Sequence, residues 1–167
     1  MTIKVGDKLP DGTLWELPVE YVHGCPTGPD AIKIADAVKG KRIVIFALPG
    51  AYTRTCSSQH VPGYVEYADQ LKAKKVDEIW CVSVNDAMVM AAWGKDLKAI
   101  GKVRMLADGN AEFTKALGVE LDLIARGMGI RSQRYSMLVD NGVVKTFNLE
   151  GPGKFEVSGA DKMLAQV

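Results

Sequence analysis

The stretch IVIFALPGAYTRTC, residues 43–56, decides the fold class of this chain. It opens with six consecutive apolar residues, and so short an apolar run is typical of a strand that is covered on both faces of a sheet. Pro49 and Gly50 end the strand, and a helical pattern begins at Cys56. Ligands of open α/β sheets bind beyond the carboxyl end of a central strand, so we expect the functional site between this strand and the helix.

Further strand and helix patterns alternate along the chain. Short runs of β-forming residues predict strands over 79–84, 103–107, 135–139 and 143–148. Apolar residues at helical spacing predict helices over 61–71, 86–99, 111–117 and 161–166. These patterns predict an α/β fold in which a central mixed β-sheet is flanked by helices, with residues 1–167 forming a single domain.

Three local signals refine these elements. Pro62 lies inside the first predicted helix and predicts a bend there, because proline has no N–H to donate within a helix. Asn85 or Asp86 is expected to cap the second helix. The pair Asn141-Gly142 predicts a type I′ turn, which would make the last two strands antiparallel neighbours.

The composition excludes several classes of partner. The 167 residues carry 21 basic and 20 acidic side chains, and a net charge of +1 gives no broad positive field, so we expect no nucleic acid and no membrane partner. The most apolar run, residues 43–48, is six residues long, far shorter than the roughly 20 residues that cross a bilayer. Three cysteines and an N-terminus unlike a signal peptide predict a reducing, cytoplasmic location.

Cys56 is the strongest candidate for chemistry. Whether Thr53 or Thr55 caps the helix, Cys56 falls in its first turn, where unpaired N–H groups and the helix dipole favour a thiolate. A free cysteine is more often a small buried apolar residue, and we keep that interpretation for Cys25, which we place in a loop. Cys81 lies in the middle of a predicted strand, where packing is favoured over a redox role.

Other chemistries find little support. The chain has no Cys-x-x-Cys pair and no glycine-rich nucleotide loop, which disfavours a dithiol exchanger and a nucleotide-dependent enzyme. His23 and His60 have no partner at metal-ligand spacing, so we expect no metal site. His60 follows Cys56 by four residues and would share its helix face, but nothing indicates the third group that a cysteine hydrolase needs.

The segment PGAYTRTCSSQHVPGY, residues 49–64, closely resembles the active-site signature of the peroxiredoxins, specifically the peroxiredoxin 5 or type II group. Similarity extends over nearly the whole chain, with further matching segments at 3–7, 83–86, 102–108 and 134–137. The resemblance implies a thioredoxin-like fold, a homodimer, and reduction of hydroperoxides without a metal or a bound cofactor.

The same resemblance assigns roles to individual residues. It implies that Cys56 is the peroxidatic nucleophile and that Thr53, Pro49 and Arg134 complete its pocket; Arg131 lies nearby, but Arg134 aligns with the family's arginine. Thiolate attack moves negative charge from sulfur to the departing oxygen, so donors are needed at both ends. Arg134 would stabilise both charges, the Thr53 hydroxyl would orient the peroxide, backbone N–H groups near Cys56 would add donors, and Pro49 would shield the sulfur from water.

The step that regenerates the thiol is less determined by the sequence. Some relatives use a cysteine near the C-terminus, but residues 151–167 contain none, and Ser158 stands where a thiol would be sought. Cys81 resembles the second cysteine of type II members that are associated with glutaredoxin and glutathione, which makes it a candidate resolving residue. Because a strand cysteine would reach Cys56 only if the helix start unwound, we expect direct reduction by glutathione or glutaredoxin, with thioredoxin as another donor.

Two functions of other classes stay open at this point. Oxidation of Cys56 would serve a redox-sensing or holdase-like interaction module as a switch, with about one turnover per chain. A plain thioredoxin-like binding protein would be indifferent to the replacement of Cys56 by serine.

Overall fold

The computed structural model describes residues 1–18 and 28–167. Its strands are β1 (Thr13–Glu16), β2 (Asp30–Lys33), β3 (Arg42–Ala47), β4 (Glu78–Ser83), β5 (Arg104–Ala107), β6 (Glu120–Leu123), β7 (Gly129–Ser132), β8 (Tyr135–Asp140) and β9 (Val143–Leu149). Its α-helices are α1 (Ile34–Ala37), α2 (Val61–Ala73), α3 (Ala87–Asp96), α4 (Glu112–Leu117) and α5 (Ala160–Gln166). Cys25 and His23 lie outside the described residues.

Seven strands form one mixed sheet in the order β2-β1-β5-β4-β3-β8-β9. Strand β3 pairs in parallel with β4 and antiparallel with β8, and β4 in turn pairs in parallel with β5. Strands β6 and β7 form a separate antiparallel pair. The predicted α/β class, with a central mixed sheet flanked by helices, is confirmed.

Both faces of the sheet are covered, which explains the uninterrupted apolar run in β3. Alternate residues of β3 point to opposite faces, so Val44 and Phe46 join α2, α3 and α5 in one buried cluster. Ile43 and Ile45 join residues of α1 and α4 in the other buried cluster. The helix start that follows β3 therefore lies on the α2 face of the sheet.

The hairpin between β8 and β9 has the predicted turn. Asn141 and Gly142 have φ angles of 47° and 81°, and Asp140 pairs with Val143 across the turn. Positive φ at both central positions defines the type I′ turn, so this prediction is confirmed.

Of the two predicted candidates, Asp86 caps α3, because its Oδ1 accepts a hydrogen bond of 2.8 Å from the Val89 N–H. Asn85 has another use, because its Oδ1 accepts from the Ala51 N–H at 3.0 Å and from the Ser83 hydroxyl at 2.6 Å. Helix α3 ends at Asp96, three residues before the predicted end. Lys98 has a φ of 56°, a left-handed conformation that does not continue a helix.

A π turn over Cys56–His60 precedes α2, directly before the position at which Pro62 predicts a bend. The N–H of Val61 donates to the carbonyl of Cys56, five residues back, where an α-helix would use four. Pro62 comes next and has no N–H to continue either pattern. The interruption is therefore a widening of the helix before Pro62, and the helix continues as α2 to Ala73.

Candidate active site

The loop between β3 and the π turn is pinned at three points. Tyr52 has a φ of 62°, a left-handed conformation that turns the chain sharply. The Thr53 hydroxyl donates to the Gly50 carbonyl at 2.8 Å, and the Ala51 N–H is bound by Asn85 in the next strand connection. These contacts fix where the following helical turn begins.

Cys56 lies at the start of that helical segment and is completely buried. Residues 54 and 55 are already helical, so Thr53 occupies the capping position, and its carbonyl accepts from the Ser57 N–H at 3.0 Å. The N–H groups of residues 54–56 precede this first intrahelical bond, where a helix leaves donors without intrahelical partners. These donors and the helix dipole favour negative charge on the Cys56 sulfur.

Arg134 contacts the sulfur directly. Its Nη2 donates to Cys56 Sγ at 3.1 Å, although 78 residues separate the two in sequence. The contact follows from the sheet, because Tyr135 pairs with Ala47 and so places Arg134 beside the end of β3. A guanidinium only donates hydrogen bonds, so this contact stabilises negative charge on the atom that accepts it. The sulfur is thus buried beside a cation rather than in hydrocarbon alone.

The other terminal nitrogen of the guanidinium contacts His60. Arg134 Nη1 lies 2.9 Å from His60 Nδ1, and His60 Nε2 lies 3.1 Å from the carbonyl oxygen of Ser158. Burial and the nearby Arg134 charge lower the pKa of His60 from 6.5 to about 3. His60 is therefore a neutral ring at physiological pH.

Glu150 ties down the loop that carries Ser158. Its Oε1 accepts from the N–H groups of Glu156, Val157 and Ser158 at 2.7 to 2.8 Å, and from the Ser158 hydroxyl at 2.9 Å. Burial opposes ionisation of Glu150, but these hydrogen bonds lower its pKa below the usual value. The carboxylate therefore stays charged and fixes the loop.

A cleft of about 540 Å³ opens beside these groups. Pro49, Thr53 and Arg134 line it, and Leu121, Leu123 and Met128 supply an apolar wall from the β6–β7 hairpin and its turn. The structure thus brings three of the sequence-predicted residues to one cleft and joins the fourth, Cys56, to it through Arg134.

Arg131 has a different position from Arg134. Its Nε donates to the Met128 carbonyl at 2.8 Å and its Nη1 donates to the Pro49 carbonyl at 3.4 Å. Gly50 accommodates this side chain, because a Cβ at position 50 would lie 2.8 Å from Arg131 Nη1. Arg131 therefore braces the Pro49-Gly50 turn and leaves the sulfur contact to Arg134.

Cys81 is also fully buried, and it lies in the middle of β4. It pairs in register with Phe46 and belongs to the same apolar cluster as Cys56. Burial, and then the nearby Cys56 charge, raise the pKa of Cys81 well above its ordinary value. Both thiols are free in the structure.

The described ranges 1–18 and 28–167 contain neither a metal-binding cluster nor a membrane-spanning helix. No group of three histidine, cysteine or acidic side chains within these ranges is arranged to hold a metal ion. No helix there is long and apolar enough to cross a membrane.

Sequence reasoning missed two contributors to the site. His60 was noticed for its spacing from Cys56 but was given no role, and its contact is with Arg134 rather than with the sulfur. Glu150 carried no local signal, because its partners at 156–158 form a loop whose hydrogen bonds appear only on folding.

Comparison with known proteins places the whole chain in one family. The sequence profile described as Redoxin matches residues 4–164. Peroxiredoxin-2E, chloroplastic, of Arabidopsis thaliana is 49% identical over 165 residues, which cover 98% of this chain and 68% of that protein.

Solved structures agree with that assignment. Reduced Prx3 of Vibrio vulnificus in complex with H2O2 is 51% identical, with a TM-score of 0.91 and coverage of 99% of both chains. A Burkholderia cenocepacia protein provisionally described as a thioredoxin reductase is 62% identical, with a TM-score of 0.95 and coverage of 100% of this chain and 99% of that one. The Redoxin profile over residues 4–164, and not that description, gives the family of the present chain.

Proposed function

The chain belongs to the Redoxin family as a type II peroxiredoxin with a thioredoxin-like fold, a thiol peroxidase, and we propose that Cys56 is the nucleophile that attacks the peroxide. The observation that carries this proposal is the 3.1 Å contact between Arg134 Nη2 and the buried Cys56 sulfur at a helix start. The same contact distinguishes Cys56 from Cys81, which lies in a strand and has a raised pKa.

The reaction begins with a deprotonated Cys56. The thiolate attacks one peroxide oxygen in line with the O–O bond, an S–O bond forms, and the O–O bond breaks. Cys56 becomes a sulfenic acid, and the departing alkoxide or hydroxide takes up a proton to leave as an alcohol or water. The sulfur is oxidised by two electrons and the peroxide is reduced by two.

Arg134, Thr53 and Pro49 have separate tasks in this step. The Arg134 guanidinium stabilises negative charge as it moves from sulfur to oxygen. The Thr53 hydroxyl hydrogen is already committed to the Gly50 carbonyl, so its oxygen is left to accept a hydrogen bond from the peroxide O–H. Pro49 lines the cleft beside them and adds no competing N–H donor.

Hydrogen peroxide and small alkyl hydroperoxides are the proposed substrates. The similar Vibrio vulnificus Prx3 has been crystallised with H2O2, which supports this class of substrate. The complete burial of the Cys56 sulfur favours a reacting group as small as a hydroperoxide, while the apolar cleft wall accepts an alkyl substituent.

Glutathione or glutaredoxin is the proposed reductant of the sulfenic acid, with thioredoxin as another thiol donor. Residues 151–167 supply no cysteine, and Cys81 is held in the central sheet between β3 and β5. A Cys56–Cys81 bond would require the π turn to unwind toward the sheet. An external thiol that enters through the cleft would reduce Cys56 without any movement of Cys81.

Mass spectrometry after one equivalent of H2O2 tests the reductant. We expect a sulfenic acid at Cys56 without thiol and a glutathione adduct at Cys56 with glutathione. A Cys56–Cys81 disulfide would instead make Cys81 the resolving residue.

A coupled assay with peroxide, glutathione, glutaredoxin and NADPH tests the catalytic role itself. Many turnovers per chain are expected, and Cys56→Ser is expected to abolish them. About one turnover per chain would favour a redox-sensing or holdase-like switch, and an unchanged Cys56→Ser variant would favour a plain binding protein.

A homodimer and a cytoplasmic or other reducing location complete the proposal. Trp15 and Met88 are exposed large apolar side chains that border one surface depression, and such exposed side chains favour a protein contact. A nucleophilic Cys56 needs a compartment that keeps thiols reduced. Analytical ultracentrifugation and cell fractionation test these two points; a monomer or an oxidising compartment would contradict them.

A further inference from the structure

Behind the Cys56 sulfur, four residues close a ring of hydrogen bonds. Arg134 Nη1 lies 2.9 Å from His60 Nδ1, and His60 Nε2 lies 3.1 Å from the Ser158 carbonyl. The Ser158 N–H and hydroxyl donate to Glu150 Oε1, and the Glu150 N–H returns to the Arg134 carbonyl at 3.0 Å. The ring therefore joins the side chain of Arg134 to its own backbone.

The ring admits one arrangement of protons. A guanidinium only donates hydrogen bonds, so His60 Nδ1 must accept from Arg134. The single ring proton of neutral His60 is then on Nε2, where it donates to the Ser158 carbonyl. The same carbonyl accepts a second bond, of 2.9 Å, from the Tyr64 hydroxyl. A protonated His60 would turn Nδ1 into a donor and break the contact with Arg134.

This arrangement excludes His60 as the base that deprotonates Cys56. One ring nitrogen is occupied by Arg134 and the other by Ser158, so neither is available to the sulfur. The contacts of His60 with Phe46 and Phe155, both with ring centroids 4.9 Å away, fix the ring further. What His60 supplies to the site is a fixed acceptor for the guanidinium.

We propose that His60 is the positioning residue of Arg134, and that the Glu150-bound carbonyl of Ser158 holds His60 in the tautomer this task requires. Arg134 uses Nη2 on the sulfur and Nη1 on His60, and two anchored nitrogens fix the plane of a guanidinium. A donor that acts on a transition state must be aimed within a fraction of an ångström, so the loss of this anchor slows the reaction.

The inference rests on the roles proposed above for Cys56 and Arg134, and two substitutions of His60 separate its two bonds. In His60→Asn the amide oxygen takes the place of Nδ1 and still accepts from Arg134. In His60→Gln the longer amide takes the place of Nε2 and still donates to Ser158, but the acceptor for Arg134 is lost. Each variant thus keeps one of the two hydrogen bonds of His60, the bond to Arg134 in His60→Asn and the bond to Ser158 in His60→Gln.

The measurement is the second-order rate of H2O2 reduction by the reduced protein, followed in single turnover, with the thiolate fraction from absorbance at 240 nm. His60→Gln is expected to lower the rate about tenfold to a hundredfold, as small misplacements of catalytic groups do. His60→Asn is expected to stay within about threefold of the native rate, on the scale of one neutral hydrogen bond. Equal losses in the two variants would overturn the proposal.

A double-mutant cycle excludes a merely structural role. In an Arg134→Gln background the further change His60→Gln is expected to lower the rate by less than about twofold, because the group it positions is gone. A loss as large as in the native background would show that His60 acts through the fold and would overturn the proposal. Thermal unfolding of each variant confirms that it is folded at the assay temperature.

Tyr64→Phe and Cys56→Ser are the matched controls. Tyr64→Phe removes a bond to the same Ser158 carbonyl without touching Arg134, so its rate is expected to stay within about threefold of native. If Cys56→Ser kept its turnover, the proposed function itself would fail. If Cys56→Ser were inactive while the two His60 variants behaved alike, only the positioning role would fail.

Discussion

Cys56 and Cys81 offer a comparison of two thiols that burial alone would not distinguish. Both are fully buried, and both belong to the apolar cluster between the sheet and α2. Cys81 lies in mid-strand, paired with Phe46 on one side and Met105 on the other, and burial raises its pKa. Cys56 lies at a helix start with an arginine nitrogen 3.1 Å from its sulfur.

The difference shows that a buried cysteine becomes a candidate nucleophile through its polar neighbours. Removal of water penalises a thiolate at either position. At Cys56 the guanidinium and the helix start direct positive charge at the sulfur, and the exclusion of water strengthens both interactions. At Cys81 burial outweighs the lowering effect of the Arg134 charge, so this thiol behaves as a small apolar side chain.

Replacing each thiol in turn gives the largest expected effect. Cys56→Ser is expected to abolish peroxide turnover, because a hydroxyl is not ionised at neutral pH. Cys81→Ser is the matched control and is expected to keep turnover with glutathione and glutaredoxin. Turnover is measured by NADPH consumption in the coupled assay. A loss of turnover in folded Cys81→Ser would make the two thiols partners in the cycle and end the contrast.

Arg134→Gln tests the neighbour that makes the difference. The rate of peroxide reduction is expected to fall about 100-fold to 1,000-fold, the range for one preorganised donor, and to fall more than the thiolate fraction does. Stopped-flow rates and absorbance at 240 nm separate the two quantities. Arg131→Gln, which removes only carbonyl contacts, is expected to cost less than about tenfold. Proportional losses of rate and thiolate in Arg134→Gln would contradict the assignment.

The pH dependence of the free energy of unfolding tests whether His60, the neighbour of Arg134 on the Cys56 side, is neutral in the folded chain. The folded-state pKa of His60 is depressed to about 3, so below pH 6.5 the unfolded chain binds a proton that the folded chain does not. The contribution of neutral His60 to the free energy of unfolding is fully present above pH 6.5. Below that pH it falls by about 1.4 kcal/mol per pH unit, until His60 in the folded chain also protonates.

Urea unfolding measures this dependence between pH 6.5 and 4.5. The native chain is expected to lose about 2 to 3 kcal/mol more than His60→Asn across this window. Carboxylates titrate mainly below it and are common to both proteins. Parallel curves for the two proteins would show that His60 is not held neutral.

Cys81→Ala has the smallest expected effect. The truncation removes one buried sulfur, so the free energy of unfolding is expected to fall by about 1 kcal/mol, with the rate of peroxide reduction within about threefold of native. Urea unfolding and stopped-flow kinetics provide the two values. A rate loss larger than the stability loss explains would extend the reactive site to Cys81.

The elements that sequence predicted are those with a strong local pattern. An apolar run predicted strand β3, and the turn sequence predicted the β8–β9 hairpin. The sequence analysis did not predict β1, β2, β6 and β7. Each missed strand has four residues, which show too little alternation to identify a face. Helix α1, also four residues long, has the same difficulty, and such short segments depend on tertiary pairing.

In the candidate site, too, the sequence predicted the residues that belong to a strong local pattern and missed those that depend on distant contacts. Pro49, Thr53 and Cys56 belong to one contiguous segment, and Arg134 was identified through a resemblance that covers residues 134–137, at the start of β8. The bonds of His60 to Arg134 and Ser158 span 74 and 98 residues, and no periodicity or spacing encodes such pairings. The reactive segment could therefore be identified from the sequence, whereas the hydrogen bonds that hold Arg134 and His60 in place form only when the chain folds.

The π turn gives the chain between the nucleophile and the rest of α2 one spare residue. Its five residues, Cys56–His60, hold one residue more per hydrogen-bonded turn than an α-helix does. Deleting one of residues 57–60 would leave Val61 as the donor to the Cys56 carbonyl, now four residues away as in a regular helix. Tyr64, Ala68 and Leu71 would therefore keep their places in the core. A deletion between Val61 and Tyr64 has no such reserve and would rotate these side chains by about 100° relative to the turn.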